Sequence, residues 1–131
     1  MKKCLIIAEI GVNHDGDYYK AKKLIKLAKL AGADIAKFQT FKAEEITTKK
    51  APTAAYQKRS KFKTQIEMLK KLELSDHAFI KLSKYCKKIG LEFCTSFFSE
   101  EKLRLIKKLN LKRIKIPSGE ITNFFLLKNL G

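Results

Sequence analysis

A parallel α/β fold is predicted from three features of the 131-residue sequence. Short apolar runs alternate with amphipathic stretches of helical period, capping residues or glycines punctuate the alternation, and the strand–helix cycle recurs about four times. Taken in order, Cys4 to Ile10 reads as a first strand ending in Glu9-Ile10-Gly11, followed by a turn cluster from Asn13 to Asp17. Ala21, Leu24, Ile25, Ala28 and Ala31 then recur at helical spacing with Lys20, Lys22, Lys23, Lys26 and Lys29 between them, and Gly32 stops the helix. Ile35 to Gln39 is a second strand, completing a βαβ unit whose crossover is expected to be right-handed.

The cycle repeats with a longer connection. Residues 40–63 read as polar and irregular, with Pro52 and Tyr56 inside, and Gln65 to Leu72 reads as a short helix. Ser75 and Asp76 open a longer helix along Phe79, Leu82, Cys86 and Ile89, closed by Gly90. Leu91 to Ser96 is strand three, Ser99 caps a helix through Leu103, Ile106 and Leu109, and Arg113 to Ile116 is strand four. Pro117-Ser118-Gly119-Glu120 forms the next loop, and Asn123 opens a last helical stretch.

Four βα units fit either an open doubly wound sheet or half of a (β/α)8 barrel. A whole barrel takes about 250 residues. The sequence closes at Leu130-Gly131 on a helix that has barely begun to bury a face, and four strands leave the first and last as open edges. The expectation is therefore the first half of a (β/α)8 (TIM) barrel over residues 1–131, with the second half absent from the chain.

Composition narrows the class of function. The balance, 45% apolar and 32% charged, is that of a globular chain and excludes a disordered one. The apolar run at the start is too short for a membrane span or a signal-peptide core. Cys4, Cys86 and Cys94 have no metal spacing, and a reduced, cytoplasmic protein is expected. The net charge of +16 points toward an anionic ligand or a polyanion. All but three of the 29 basic residues are lysine, however, and most lie on outer helix faces. Nucleic-acid readers favour arginine's planar fork, so a solvated lysine-rich surface is the adopted reading and no nucleic-acid partner is expected.

Ligands of parallel α/β folds bind at the carboxyl ends of the strands. Every predicted strand delivers polar groups there: Glu9 from the first, Lys37 and Gln39 on one face of the second, Thr95-Ser96 from the third, and Lys115 with Ser118 and Glu120 from the fourth. Lysines at 37 and 115 interrupt strands that should be continuously apolar. A buried ammonium needs a compensating anion, either an internal carboxylate or a phosphate- or carboxylate-bearing ligand. Both lysines together, with hydroxyls and carboxylates at equivalent strand ends, favour an anion site. His14 reads as part of a solvated turn, His77 as surface, Cys86 and Cys94 as core, and the two histidines make no metal pair.

Three separated motifs carry a family resemblance. Ala8-Glu9-Ile10-Gly11-Val12-Asn13-His14-Asp15-Gly16-Asp17, Lys37-Phe38-Gln39-Thr40-Phe41 and Lys115-Ile116-Pro117-Ser118-Gly119-Glu120-Ile121-Thr122-Asn123 resemble the N-acetylneuraminate (sialic acid) synthase family, which includes legionaminate and pseudaminate synthases. The resemblance implies a (β/α)8 barrel followed by an antifreeze-like domain, here missing. It implies condensation of phosphoenolpyruvate with an N-acetylated hexosamine such as N-acetylmannosamine, in a homodimer. C3 of phosphoenolpyruvate attacks the open-chain aldehyde, water adds at C2, and phosphate leaves by C–O cleavage. A divalent metal (Mn or Mg) polarises the aldehyde, with ligands on later strands outside this chain. Carried over by motif, Lys37, Thr95, Lys115 and Ser118 are phosphoenolpyruvate contacts, Gln39 a sugar contact, and Glu9 and Glu120 the active-site carboxylates. Asp15 and Thr95-Ser96-Phe97-Phe98 differ from common family versions without removing a group of this set. The competing expectations are a legionaminate synthase acting on a diacetamido-hexose, a basic nucleic-acid-binding module, and a non-catalytic half barrel that self-associates. The chain alone is expected to be inactive.

Overall fold

The computed structural model describes residues 4–48 and 64–130. Strands β1 (Ile7–Gly11), β2 (Ile35–Thr40) and β3 (Glu92–Phe97) form a parallel sheet in the order β1-β2-β3. Among the described residues the α-helices are α1 (Tyr18–Leu30), α2 (Ala43–Ile46), α3 (Gln65–Leu72), α4 (Asp76–Lys88), α5 (Leu103–Leu109) and α6 (Phe124–Leu130).

Helix boundaries follow local chemistry. Asp17 accepts the Lys20 amide at 2.8 Å to start α1, and Ser75 accepts the Ala78 amide at 3.1 Å to start α4. Gly32, at φ +83, and Gly90, at φ +67, take the left-handed conformation just after those helices. Each helix turns an apolar stripe to the sheet, Ala21, Ile25 and Ala28 from α1 and Phe79, Leu82 and Cys86 from α4. These meet Ile10, Ala36, Phe38 and Phe93 in the main core. Phe38 stacks on Phe93 and meets Phe79 edge-on. Full burial of such a side chain contributes about 1.5–3 kcal/mol. A second cluster joins Phe97, Ile106 and Leu126 beneath α5 and α6.

Four expectations are corrected. Strand four is reduced to one parallel bridge, Ser96 to Lys115, with the Lys115 amide donating to the Thr95 carbonyl at 3.1 Å. Its outer side has no strand neighbour among the described residues, and Ile114 and Ile116 are half-buried against the second cluster instead of sitting in a ladder. The segment after β2 holds the helix α2, anchored where the Ala43 amide donates to Glu73 Oε1 at 2.7 Å. Ser99 does not cap α5: a 3-10 turn over Glu100–Lys102 intervenes, and the Ser99 hydroxyl donates to Glu45. Lys115 is exposed, not buried, because its strand is barely formed. Pro52 and Tyr56 lie outside the described residues.

Candidate active site

Side chains alternate across a strand, so register decides which of them share a face. Ala36 and Phe38 lie in the helix-facing core, which turns Ile35, Lys37 and Gln39 to the opposite face. Register aligns Glu9, Lys37 and Cys94 in one row, and Gln39, Ser96 and Lys115 in the row nearer the carboxyl ends. The Lys37 ammonium donates to both carboxylate oxygens of Glu9, at 2.8 Å and 2.6 Å. The pair is asymmetric: the Lys37 side chain is 10% exposed, that of Glu9 56%. Lys37 thus has the internal carboxylate partner that a buried ammonium needs, and that carboxylate is open to solvent.

A bulge shapes the end of β1. The register shifts between Glu9 and Gly11, and Gly11 takes φ +54. A methyl group at Gly11 would stand 3.6 Å from both Gln39 Nε2 and Glu9 Oε1, so these two polar ends converge over the glycine. On the fourth-strand side, Ser118 and Glu120 share the 3-10 turn Ser118–Glu120, and the Asn123 amide donates to Glu120 Oε2 at 2.8 Å. Asn123 Oδ1 in turn accepts the Leu126 amide at 3.1 Å, so one side chain caps α6 and holds the carboxylate. The structure brings Glu9, Lys37 and Gln39 together, and places Ser96 beside Lys115. Among the described residues no hydrogen bond or ion pair joins Lys115, Ser118 or Glu120 to the Glu9–Lys37 pair.

Thr95 is placed differently from expectation. It pairs in register with Phe38 and faces the helices, fully buried. Its hydroxyl lies 2.8 Å from that of Thr40 and bonds the Ser96 carbonyl. The strand-end hydroxyl on the face of Lys37 and Gln39 belongs to Ser96, which was not singled out as a contact. Alternation from Phe93, which shares Thr95's face, was the signal that could have found it. Asn123 reads from the sequence as a helix start and as the last residue of the third motif, and neither reading gives it the hold on Glu120 that the structure shows.

His14 is also corrected: it is buried, not solvated, and its ring stacks on Phe38 at 6.0 Å. The Gly16 amide donates to Nδ1 at 3.1 Å, which fixes that nitrogen as the acceptor. Burial lowers the His14 pKa from its ordinary 6.5, and Lys20 works in the same direction against Asp15, Asp17 and the Gly11 carbonyl. Folding therefore favours the neutral ring, so this contribution is intact above about pH 6.5 and is lost as pH falls below it. Melting at pH 5.5 against pH 7.5 is expected to show that loss. His14→Asn, which keeps an acceptor and cannot charge, should melt lower at pH 7.5 and shed part of the pH dependence; an unchanged dependence would refute the assignment. Burial pushes the Cys86 thiol up to about 12 and raises that of Cys94, which fits packing more than thiolate chemistry.

Parallel βα units with a lysine–carboxylate pair on the non-helical face near the strand ends are the arrangement of part of a barrel-type α/β domain, whose ligand sites lie at that end of the strands. The chain belongs to the NeuB family, whose model matches residues 24–131. It is 49% identical over 122 residues to the N,N'-diacetyllegionaminic acid synthase of Legionella pneumophila, covering 92% of this chain and 34% of that protein. Identity is 47% with the Campylobacter jejuni N,N'-diacetyllegionaminic acid synthase, over all of this chain and 40% of the relative. Human N-acetylneuraminate-9-phosphate synthase is 39% identical over 92% of the chain and 34% of its own length. The crystal structure of N-acetylneuraminic acid synthetase from Leptospira borgpetersenii superposes with a TM-score of 0.81 at 28% identity, covering 98% of this chain and 41% of that one. The fold is thus a partial (β/α)8 barrel, and the chain spans 34–41% of these relatives' lengths.

Proposed function

We propose that this chain is the first half of the barrel of a nonulosonic acid synthase, which condenses phosphoenolpyruvate with an N-acetylated hexosamine and releases phosphate. The observation that supports it most directly is the buried Lys37 ammonium held by a solvent-open Glu9 carboxylate. Lys37 supplies fixed positive charge to the carboxylate or phosphate of phosphoenolpyruvate, and Lys115 and Ser118 close on the same ligand from the fourth-strand end. Thr95 supports the strand ends through its hydroxyl pair with Thr40 and reaches a ligand only if that pair opens. Gln39, converging with Glu9 over Gly11, orients the sugar. Glu9 receives a proton from the water that adds at C2, and Glu120, fixed by Asn123, orients the aldehyde end of the sugar.

Among the described residues no group of three His, Cys, Asp or Glu could hold a metal ion, so these residues do not by themselves fit the divalent metal that the family resemblance implies. No helix among the described residues is long and apolar enough to cross a membrane; a cytoplasmic location and assembly as a homodimer belong to this proposal. The test is phosphate release by the whole translated product of the reading frame, given phosphoenolpyruvate, N-acetylmannosamine or its diacetamido analogue, and Mn or Mg. Sugar-dependent release is expected. No release with either sugar overturns the reading.

A further inference from the structure

The lysines of the outer helical layer are patterned. Helix α1 carries five lysines and no acidic residue, and α4 carries four with a single acid, Asp76, which pairs with Lys102. The two helices pack side by side: Lys29 Nζ donates to the Gly90 carbonyl at 2.8 Å, and the Lys22 ammonium lies 4.8 Å from the centre of the Tyr85 ring. Lys23 and Lys26 of α1 and Lys81, Lys84 and Lys88 of α4 are exposed. Among the described residues none of these has a carboxylate partner, whereas Lys20, Lys37, Lys42, Lys70 and Lys102 each have one.

Helix electrostatics explains part of this pattern. Cations in the last turn complement the helix dipole, which accounts for Lys29, Lys87 and Lys88. Lys23, Lys26, Lys81 and Lys84 stand before the last turn, where like charges three or four residues apart destabilise a helix. An anionic surface brought against the layer relieves that repulsion. The same outward stripe of α1 carries apolar groups. Tyr19, Lys23, Lys26, Leu27 and Leu30 recur at i, i+4, i+7, i+8 and i+11, on the side of the helix away from buried Ala21, Ile25 and Ala28. Tyr19 is 79% exposed, Leu27 51% and Leu30 73%. Lysines beside leucines match a bilayer interface, where lipid phosphates meet the ammonium groups and acyl chains meet the leucines. A nucleic-acid backbone offers only the first, and arginine, whose planar fork suits it better, is missing from both helices. The helices run back along the sheet, so Leu30 and Lys88 lie toward the amino ends of the strands, away from Gln39 and Ser96.

We propose that the outward face of α1 and α4 docks peripherally on an anionic phospholipid bilayer. Lys23, Lys26, Lys81 and Lys84 meet headgroup phosphates, and Leu27 and Leu30 enter the boundary between headgroups and acyl chains. The docked chain keeps the carboxyl ends of its strands free, and this surface is independent of the proposed reaction.

Co-sedimentation of the whole translated product with vesicles tests the surface. The probes are vesicles of phosphatidylcholine alone and of phosphatidylcholine with about one-third phosphatidylglycerol. Binding to the second and not the first is expected at about 0.1 M salt, with release at about 0.5 M. One lysine near an anionic surface carries about fivefold in partitioning. The quadruple variant Lys23→Gln, Lys26→Gln, Lys81→Gln, Lys84→Gln should therefore bind at least about 100-fold more weakly. Lys42→Gln, Lys70→Gln, Lys112→Gln, Lys128→Gln makes the same change of net charge at other exposed positions and should stay within about threefold of the unaltered protein. Leu27→Ser with Leu30→Ser should weaken vesicle binding about tenfold and leave any binding to duplex DNA unchanged. Equal binding to the two kinds of vesicle, or no binding to either, overturns the proposal on the unaltered protein alone. Equal loss in the two quadruple variants overturns it too, because bulk charge then does the binding. Vesicle binding that the serine pair leaves intact, or tighter binding of duplex DNA at matched phosphate, overturns the lipid as occupant. Phosphate release is measured alongside, and its absence bears on the synthase reading without touching the vesicle result.

Discussion

Lys37→Met in the whole translated product is expected to lower kcat/KM for phosphoenolpyruvate by at least about 100-fold while leaving the protein folded. Removing one fixed charge or donor from a preorganised anion site commonly costs about 10²–10³ in rate. Methionine keeps the length of the side chain and its fit between strands, and the Glu9 carboxylate left behind is more than half exposed, so water can serve it. The reverse change is not equivalent. Glu9→Gln strands an ammonium that is only 10% exposed, and orphaning a buried charge is the more damaging half of such a pair. Glu9→Gln should therefore cost roughly 2 kcal/mol of stability, below the 3–5 kcal/mol of a fully buried pair because Glu9 borders solvent. Lys37→Met should cost less than half of that. Phosphate-release kinetics and chemical denaturation check the two halves. Exposed Lys70, paired with Glu44 on the surface, serves as the control, and Lys70→Met should change neither. Equal activity in Lys37→Met and Lys70→Met would remove the anion site.

Most of the scaffold was legible because its signals are local. Asp17, Thr64 and Ser75 cap helices through their own side chains, and Gly32 and Gly90 end two of them. A lysine in the middle of an otherwise apolar strand was likewise visible, and Lys37 proved to be buried with a carboxylate partner. What escaped depended on non-local packing. Thr95 and Ser96 are adjacent hydroxyls at a strand end, and only register against Phe38 and Gln39 shows which one turns toward Lys37. His14 lies in a stretch whose Asn, Asp and Gly content reads as a wet turn; its ring is buried against Phe38 of β2, and the loop that carries it packs through Gly16 on the end of α3, more than fifty residues away. Lys115 matched the same pattern as Lys37, but a strand with one bridge cannot bury it. That Met68, Leu69 and Leu72 of α3 stay only half-buried was invisible for the same reason: helical periodicity marks an apolar stripe without saying whether a partner covers it.

Glycine substitutions separate backbone strain from close packing in the loop that carries Gly11, Val12 and His14. Gly16 takes φ +73, and a methyl group there would stand 2.2 Å from the Lys71 carbonyl oxygen. Nothing flexible can yield, since that oxygen ends α3 and is backbone. Gly16→Ala is therefore expected to lose about 3 kcal/mol or more, left-handed strain and overpacking together, and to melt some 10 °C lower. Gly32→Ala supplies strain alone, at φ +83 with nothing within 4 Å, and should lose about 1 kcal/mol. Gly119 has open space and no left-handed φ, so Gly119→Ala should be neutral or slightly stabilising. Thermal melts of the three variants give the order. Were Gly16→Ala no worse than Gly32→Ala, the loop would not be seated on α3. With it would go the seating that holds the loop of Val12 and His14 against the end of α3 and keeps Val12 near Gln39, Met68 and Leu72.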